Sequence, residues 1–563
     1  MVTKSTHRFR AILLLANAVV LTVVINQLSS LYFFRLDLTE EARYTIKPQT
    51  ENLLQSLDDD VLIEVYLEGD LNAGFSRFQK SVREMLDEFA VRSDGKLTFL
   101  FTDPLQAQSE QSRNEFMSAL IEKGLKPLNI IEDKDGKRSE KIVFPGAIVS
   151  YAGMETAVNL LKNSSTQQGA QAALNQSIET LEYELASAIS RLTSTRLKKI
   201  AWIKGHGEAD SLAVAGIQNA LLEQFDLFKV DLSQIPNLEG YDLAFIARPT
   251  RPWPTEDLYK LDQFIMRGGK AIFFIDNIRV DMKKISEGED YGAPIEHGLH
   301  DLLFRYGVRI NPDLIQDLAA LPLPIVTGEA GGRSQITPIP WPFFPLVSDY
   351  ADHPASRNLD ASVFRFVSSM DTVKSEGIQK TVLVKTSPYT RKLQMPAPIR
   401  IADLRKQMNP EDFRGGQLPV MLMLEGNFQS VFKNRIPPET VDASDKRETG
   451  VFSRIVVVGD GDYILSGLDP RSGEPTPAGY DPATRQTFAN QDLVVNTVAY
   501  LTDDQGIINA RNRKVTVRLL DKEKIRTERN TLQWLNLGLP VVIMALFGLV
   551  LSWRRKNRYA KFQ

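Results

Sequence analysis

Two stretches of the chain contain hydrophobic positions without any charged residue between them. They are "AILLLANAVVLTVVINQLSSLYFF" over 11–34 and "TLQWLNLGLPVVIMALFGLVLSW" over 531–553. Each exceeds the roughly 20 residues that cross a bilayer core. The first is too long for the apolar core of a signal peptide and lacks a small-x-small cleavage site, so it reads as a retained anchor over 1–35. Trp534 and Trp553 sit where interfacial aromatics belong. Lys4, Arg8 and Arg10 precede the first stretch, and Arg554, Arg555, Lys556, Arg558 and Lys561 follow the second. That distribution predicts two spans with both ends cytoplasmic, although Lys522, Lys524, Arg526 and Arg529 in the juxtamembrane segment 516–530 pull the other way. Residues 554–563 then form a cytoplasmic tail.

Between the spans the period changes. "DVLIEVYLEG" is a β-rich run, 75–89 has helical spacing, and "KLTFLFTDP" is a second strand stopped by Asp103-Pro104. This order predicts a βαβ unit with a parallel pair. A helix ending near Gly124 and a hairpin turning at Asp135-Gly136 complete a small α/β domain over 36–162, thioredoxin-like in its order of elements. The stretch "NSSTQQGAQAALNQS" has linker composition. It leads into a helix over 177–192 on which Ile178, Leu181, Leu185, Ile189 and Leu192 form one stripe, giving a linker and docking helix over 163–195.

From 196 to 515 strands and helices alternate. "KIAWI", a helix over 211–225, "DLAFIARP", a helix over 255–267 capped by Gly268-Gly269, "KAIFFIDN", "SRIVVVGDGDYI" and a helix over 491–501 predict a doubly wound parallel sheet. A proline- and glycine-rich insertion at about 318–450 is expected to make a β-containing lobe. Within it Trp341, Phe343 and Phe344, in the run 340–345, are candidates for an exposed partner surface; a packed proline-rich crossover is the competing reading.

Composition removes several chemistries. A length of 563 residues calls for two or three domains. Lys plus Arg number 67 against 70 Asp plus Glu, a net charge of -3, which gives no basis for a general nucleic-acid binder. The absence of cysteine excludes disulfides, thiolate nucleophiles and cysteine-ligated metal. There is no phosphate loop, Gly-x-Ser-x-Gly elbow or His-Glu-x-x-His motif. Of the five histidines, His297 and His300 are spaced to share a helix face, but no companion ligands accompany them, so neither a metal nor a cofactor is expected.

Two turns at the carboxyl ends of expected strands remain, and ligands of open α/β sheets bind there. These are Gly205-His206-Gly207-Glu208 and Gly459-Asp460-Gly461-Asp462. His206 is placed to act as a base, and Asp460 and Asp462 as metal or hydroxyl ligands. Equally, glycines are what tight strand-to-helix turns need, and an acid near a helix start suits the dipole. Gly205, His206, Gly207, Glu208, Asp460 and Asp462 therefore read either as sheet corners or as a ligand or partner crevice.

The segment 33–104, beginning "FFRLDLTEEARYTIKPQ", resembles the start of the gliding-motility-associated GldG family, auxiliary subunits of bacterial ABC transporters. "IAWIKGHGEAD", "LDQFIMRGGKAIFFID", "LEGNFQSVFKNRIPP" and "NLGLPVVIMALFGLVLSWRRKNRYAK" are similar in the same order. The resemblance implies inner-membrane anchors at both ends, a large periplasmic part and a glutamine-amidotransferase-like α/β domain without that enzyme's cysteine nucleophile. It also implies partnership with an ABC-2-type permease of the GldF type and an ATPase of the GldA type, besides membrane lipid, and carries over no catalytic residues. The resulting expectation is a non-enzymatic auxiliary subunit, with ATP hydrolysis on a separate chain. The competing reading is an envelope glycan-binding protein or hydrolase using a crevice beside His206 and Asp460.

Overall fold

The computed structural model describes residues 4–31, 45–106, 109–134, 137–162, 169–194, 196–330, 333–405, 408–511 and 522–559. The chain forms two compact units, Met1–Arg513 and Lys514–Gln563.

In the first unit, β1 (Val61–Val65), β2 (Leu97–Phe101), β3 (Gly146–Tyr151) and β4 (Met154–Asn159) form a four-stranded sheet in the order β2-β1-β3-β4. The helix α1 (Ala73–Arg92) makes the crossover between β1 and β2, so that pair is parallel; β3 and β4 run antiparallel. α1 begins where Asn72 accepts the Gly74 and Phe75 amides, and it buries Phe75, Phe78, Val82, Met85, Leu86 and Phe89 along one face. The expected hairpin exists as a separate ribbon, Leu128–Lys134 with Lys137–Val143; its turn residues Asp135 and Gly136 lie outside the described residues. The sheet's own antiparallel half is β3–β4, which turns at Ala152 and Gly153, both with positive φ.

The docking helix α2 (Gly169–Thr193) starts well before the expected 177, because "GAQAALNQ" is rich in the helix formers alanine, leucine and glutamine despite its linker-like polarity. Leu181, Leu185, Ala188 and Ile189 join the core of the first sheet, together with Ile507, Ile508 and Ala510 from the end of the unit.

The larger sheet has eight strands. Its parallel part contains β5 (Lys199–Lys204), β6 (Asp226–Asp231), β7 (Leu243–Ala247), β8 (Lys270–Phe274) and β12 (Thr449–Val458). Three more strands, β9 (Asp349–Tyr350), β10 (Ile378–Lys385) and β11 (Pro419–Gln429), lie beyond β12, giving the order β9-β10-β11-β12-β8-β7-β5-β6. β5, β7 and β8 are apolar on both faces, as a sheet covered on both sides demands. Alternate residues divide between two cores. Ile200, Trp202, Phe245, Ile272 and Phe274 pack with α3 (Ala215–Leu222) and α5 (Asn490–Thr502). Ala201, Ile203, Ala244, Ile246 and Phe273 pack with α4 (Thr255–Met266) and the helix His300–Tyr306.

The insertion, expected as a β-containing lobe or extended surface, divides in two. β9, β10 and β11 extend the main sheet in antiparallel fashion, because β11 carries a buried apolar run that pairs with β12 from Met421 opposite Val458 onward. The remainder, a long hairpin of Ala320–Ala330 with Arg333–Val347, closes a small core of its own. Trp341, Phe343 and Phe344 are 1%, 5% and 5% exposed, so this run is packed at the centre of that core, as the crossover reading has it, and is not an exposed partner surface. Their rings meet Phe366 at centroid distances of 5.3–5.9 Å.

The second unit contains α6 (Lys522–Tyr559), whose segment Gln533–Asn557 is long and apolar enough to cross a membrane; Trp534 and Trp553 on it are exposed. Near the other terminus, the helix Lys4–Leu31 carries the exposed apolar stretch Ile12–Asn26. Residues 32–34 of the expected first span lie outside the described residues.

Candidate functional site

The chain leaves β5 toward α3 on one face and leaves β7 toward α4 on the other, which makes the gap between their carboxyl ends the switch point where doubly wound sheets hold ligands. Here the gap is filled by the turn after β5. The His206 carbonyl accepts the Thr250 and Arg251 amides at 3.0 and 2.9 Å, and the Thr250 hydroxyl donates to the Gly207 carbonyl at 2.7 Å. Gly205 and Gly207 have φ of +116° and +72°, and a Cβ on Gly207 would stand 2.5 Å from Thr250 Oγ1. Both glycines serve the turn.

The His206 side chain is 2% exposed. Its Nδ1 lies 3.0 Å from Glu208 Oε1, its Nε2 lies 3.0 Å from Asp257 Oδ2, and its ring stacks on Trp253 at 3.9 Å. Burial alone would push the imidazole down, but the flanking Glu208 and Asp257 carboxylates outweigh it and hold the group above its ordinary value. When protonated, the ring donates from both nitrogens and pins the turn to the first turn of α4. With both nitrogens engaged, it has no free lone pair to act as a base.

The turn after β12 belongs to a different constellation. Asp276, which follows β8, accepts Arg248 Nε at 2.6 Å, while Arg248 Nη2 reaches Asp462 at 2.9 Å. Asp460 is wholly buried, and its Oδ2 accepts the Arg365 amide at 2.6 Å. Gly459 and Gly461 allow this crowding, since a Cβ would come within 2.7 Å of the Ser368 carbonyl or 2.6 Å of Arg248 Cγ. Burial, reinforced by the charge of Asp276, raises both aspartates: Asp460 well above the carboxylate range and Asp462 to about 7. Arg248, the charge that compensates this group, occupies a left-handed conformation at φ +59°.

His206 and Asp460 therefore do not share a crevice. β7 and β8 lie between β5 and β12, and three strand spacings amount to about 14 Å. The expected pair of histidines does not share a helix, which starts at His300 after His297, although their ring centroids lie 4.4 Å apart. His297 is buried and accepts the Leu299 amide at Nδ1, and burial pushes its pKa down to about 3. Among the described residues no cluster of three histidines or carboxylates is arranged to hold a metal ion.

The open space at this edge lies beyond Asp462. A cavity of about 840 Å³ is bounded by the 462–485 loops, the segment Val363 to Phe366, and Leu321, Leu323 and Phe344 of the long hairpin. Its polar lining includes Asp462, Arg365, Arg471 and Arg485. Phe366 and Arg485 on its wall adopt φ of +52° and +55°, so two of the few non-glycine residues in the left-handed region face this space.

Sequence patterns located both turns but missed the residues that complete the second. Arg248 and Asp276 were in fact marked, each being the first charged residue after an apolar strand in "DLAFIARP" and "KAIFFIDN". Arg365, Arg471 and Arg485 carry no such mark, because only the fold gathers them.

Residues 197–497 match the family described as ABC-type uncharacterized transport system, and residues 40–150 match a domain family of unknown function. An uncharacterized protein of Borreliella burgdorferi is 21% identical over 552 residues, covering 94% of this chain and 95% of its own length. The solved mmIFT52 N-terminal domain aligns with 55% of this chain and 99% of its own, at 11% identity and a TM-score of 0.31.

Proposed function

The chain belongs to the ABC-type uncharacterized transport system family, and from that premise we propose that it is a non-catalytic, membrane-anchored auxiliary subunit of an ABC-2-type transporter. The observation that carries this reading is the family match across the eight-stranded domain, in a chain whose Gln533–Asn557 is able to span a bilayer. Self-filling of the switch-point crevice supports a scaffolding role for that domain rather than a catalytic one. The small domain, with its strand order β2-β1-β3-β4, is read as thioredoxin-like, and the large one as a glutamine-amidotransferase-like sheet emptied of its chemistry. Both termini are placed in the cytoplasm and the bulk of the chain in the periplasm, with 11–34 as the second anchor. A permease and an ATPase of the GldF and GldA types are the proposed partners, and gliding motility the process served.

Mild-detergent extraction from native membranes, followed by identification of the co-purifying chains, tests the reading. A polytopic permease together with a phosphate-loop ATPase is expected; recovery of neither sinks it. Loss of colony spreading on deletion would tie the complex to gliding.

One observation favours a second reading, an envelope glycan-binding protein or hydrolase. Asp462 faces the cavity with its carboxyl raised to about 7, the range of a general acid near neutrality. Release of reducing ends from purified envelope glycans by the full chain, abolished in Asp462→Asn, is its expected outcome. No release by the unaltered protein eliminates it.

A further inference from the structure

The cavity beyond β12 has a mixed lining. Its apolar residues include Leu323, Leu465 and Leu468. Arg365, Arg471 and Arg485 line the same space. None of these three guanidinium groups forms an ion pair within 4 Å among the described residues, although Asp462, Asp469 and Asp481 line the same space.

The carboxylates are committed elsewhere. Asp462 is paired with Arg248. Asp469 caps its own turn by accepting the Arg471 and Ser472 amides at 2.7 and 3.1 Å, and Asp481 accepts the Thr484 amide and hydroxyl at 2.8 and 2.7 Å. The buried Asp460 fixes the backbone of Arg365 at the cavity wall, and the Arg365 guanidinium lies 5.3 Å from the centre of the Phe344 ring. Three guanidinium groups thus line the cavity outside ion-pair distance of these carboxylates, beside apolar side chains.

We propose that this cavity binds an anionic amphiphile, its phosphate or carboxylate head held by Arg365, Arg471 and Arg485 and its hydrocarbon part laid against Leu323, Leu465 and Leu468. Guanidinium forks match planar carboxylate and phosphate oxygens. A volume of about 840 Å³ exceeds what a small inorganic anion needs and suits a ligand with a substantial apolar body. The inference goes beyond the transporter reading and fails separately from it, since partner recovery does not depend on these arginines.

The test uses the full chain in phosphatidylcholine nanodiscs and calorimetric titration with water-soluble short-chain lipids. Dihexanoyl phosphatidic acid is expected to bind at least about tenfold more tightly than dihexanoyl phosphatidylcholine or inorganic phosphate, reflecting charge-assisted bonds to the head plus apolar contact by the tail. Arg471→Gln combined with Arg485→Gln, both exposed positions, is expected to leave thermal stability unchanged and to weaken phosphatidic acid binding about tenfold. Leu468→Glu, at the exposed rim, is expected to weaken it as well. Equal affinity for the two lipids overturns the proposal, as does unchanged binding in the folded double variant. Inorganic phosphate binding as tightly as phosphatidic acid leaves the apolar lining idle and overturns the amphiphile assignment.

Discussion

His206 shows how a residue type that suggests chemistry becomes a fastener. The ring is surrounded by Trp253, Glu208 and Asp257, so removing it leaves two carboxylates buried without their shared cation. His206→Ala is expected to cost about 3–5 kcal/mol, measured by chemical denaturation. The pH dependence follows from the raised pKa. The folded state retains the proton more strongly than the unfolded chain, so the stabilisation is complete below the ordinary histidine value of about 6.5 and is lost as pH rises through the folded one. Denaturation midpoints measured upward from pH 6 should therefore fall in the unaltered protein, and the fall should shrink in His206→Ala. Gly207 gives a sharper geometric test. Its φ of +72° and the 2.5 Å approach of Thr250 Oγ1 predict that Gly207→Ala destabilises by about 1–3 kcal/mol, whereas a merely flexible turn would tolerate the methyl group.

At the scale of elements, the proline-rich hairpin and α2 show how far local pattern carries. Prolines at 338, 340, 342 and 345 suggest an exposed run, yet the aromatic residues among them face inward across the hairpin and are buried against Phe366. Trp341→Ala is expected to cost about 3–5 kcal/mol in urea denaturation, as for other large buried aromatics. Little or no loss would restore the surface reading. In α2 the polar first turns concealed helix formers, while the stripe from Leu181 to Leu192 correctly announced docking, and it packs on the first sheet. β10 and β11 were legible as apolar runs, but not as members of the main sheet, because strand partnership is a long-range pairing.

At the scale of the whole molecule, the two-anchor proposal predicts that a chain ending at 521 still resists alkaline carbonate extraction from membranes, held by 11–34; its release would leave the second unit as the sole anchor. By itself the sequence determined the alternation of strands and helices, the buried parallel strands, the apolar helix after 531 and the exclusion of cysteine and phosphate-loop chemistry. Each of these depends on residue type or local period, and burial on both faces of a sheet writes a continuous apolar run into the chain. Tertiary structure alone decided that His206 closes the switch point, that Asp460 and Asp462 join Asp276 and Arg248 rather than His206, and that three distant arginines line one cavity. Those facts depend on which strands become neighbours and how loops meet at a sheet edge. Contacts between residues tens to hundreds of positions apart leave no period in the sequence.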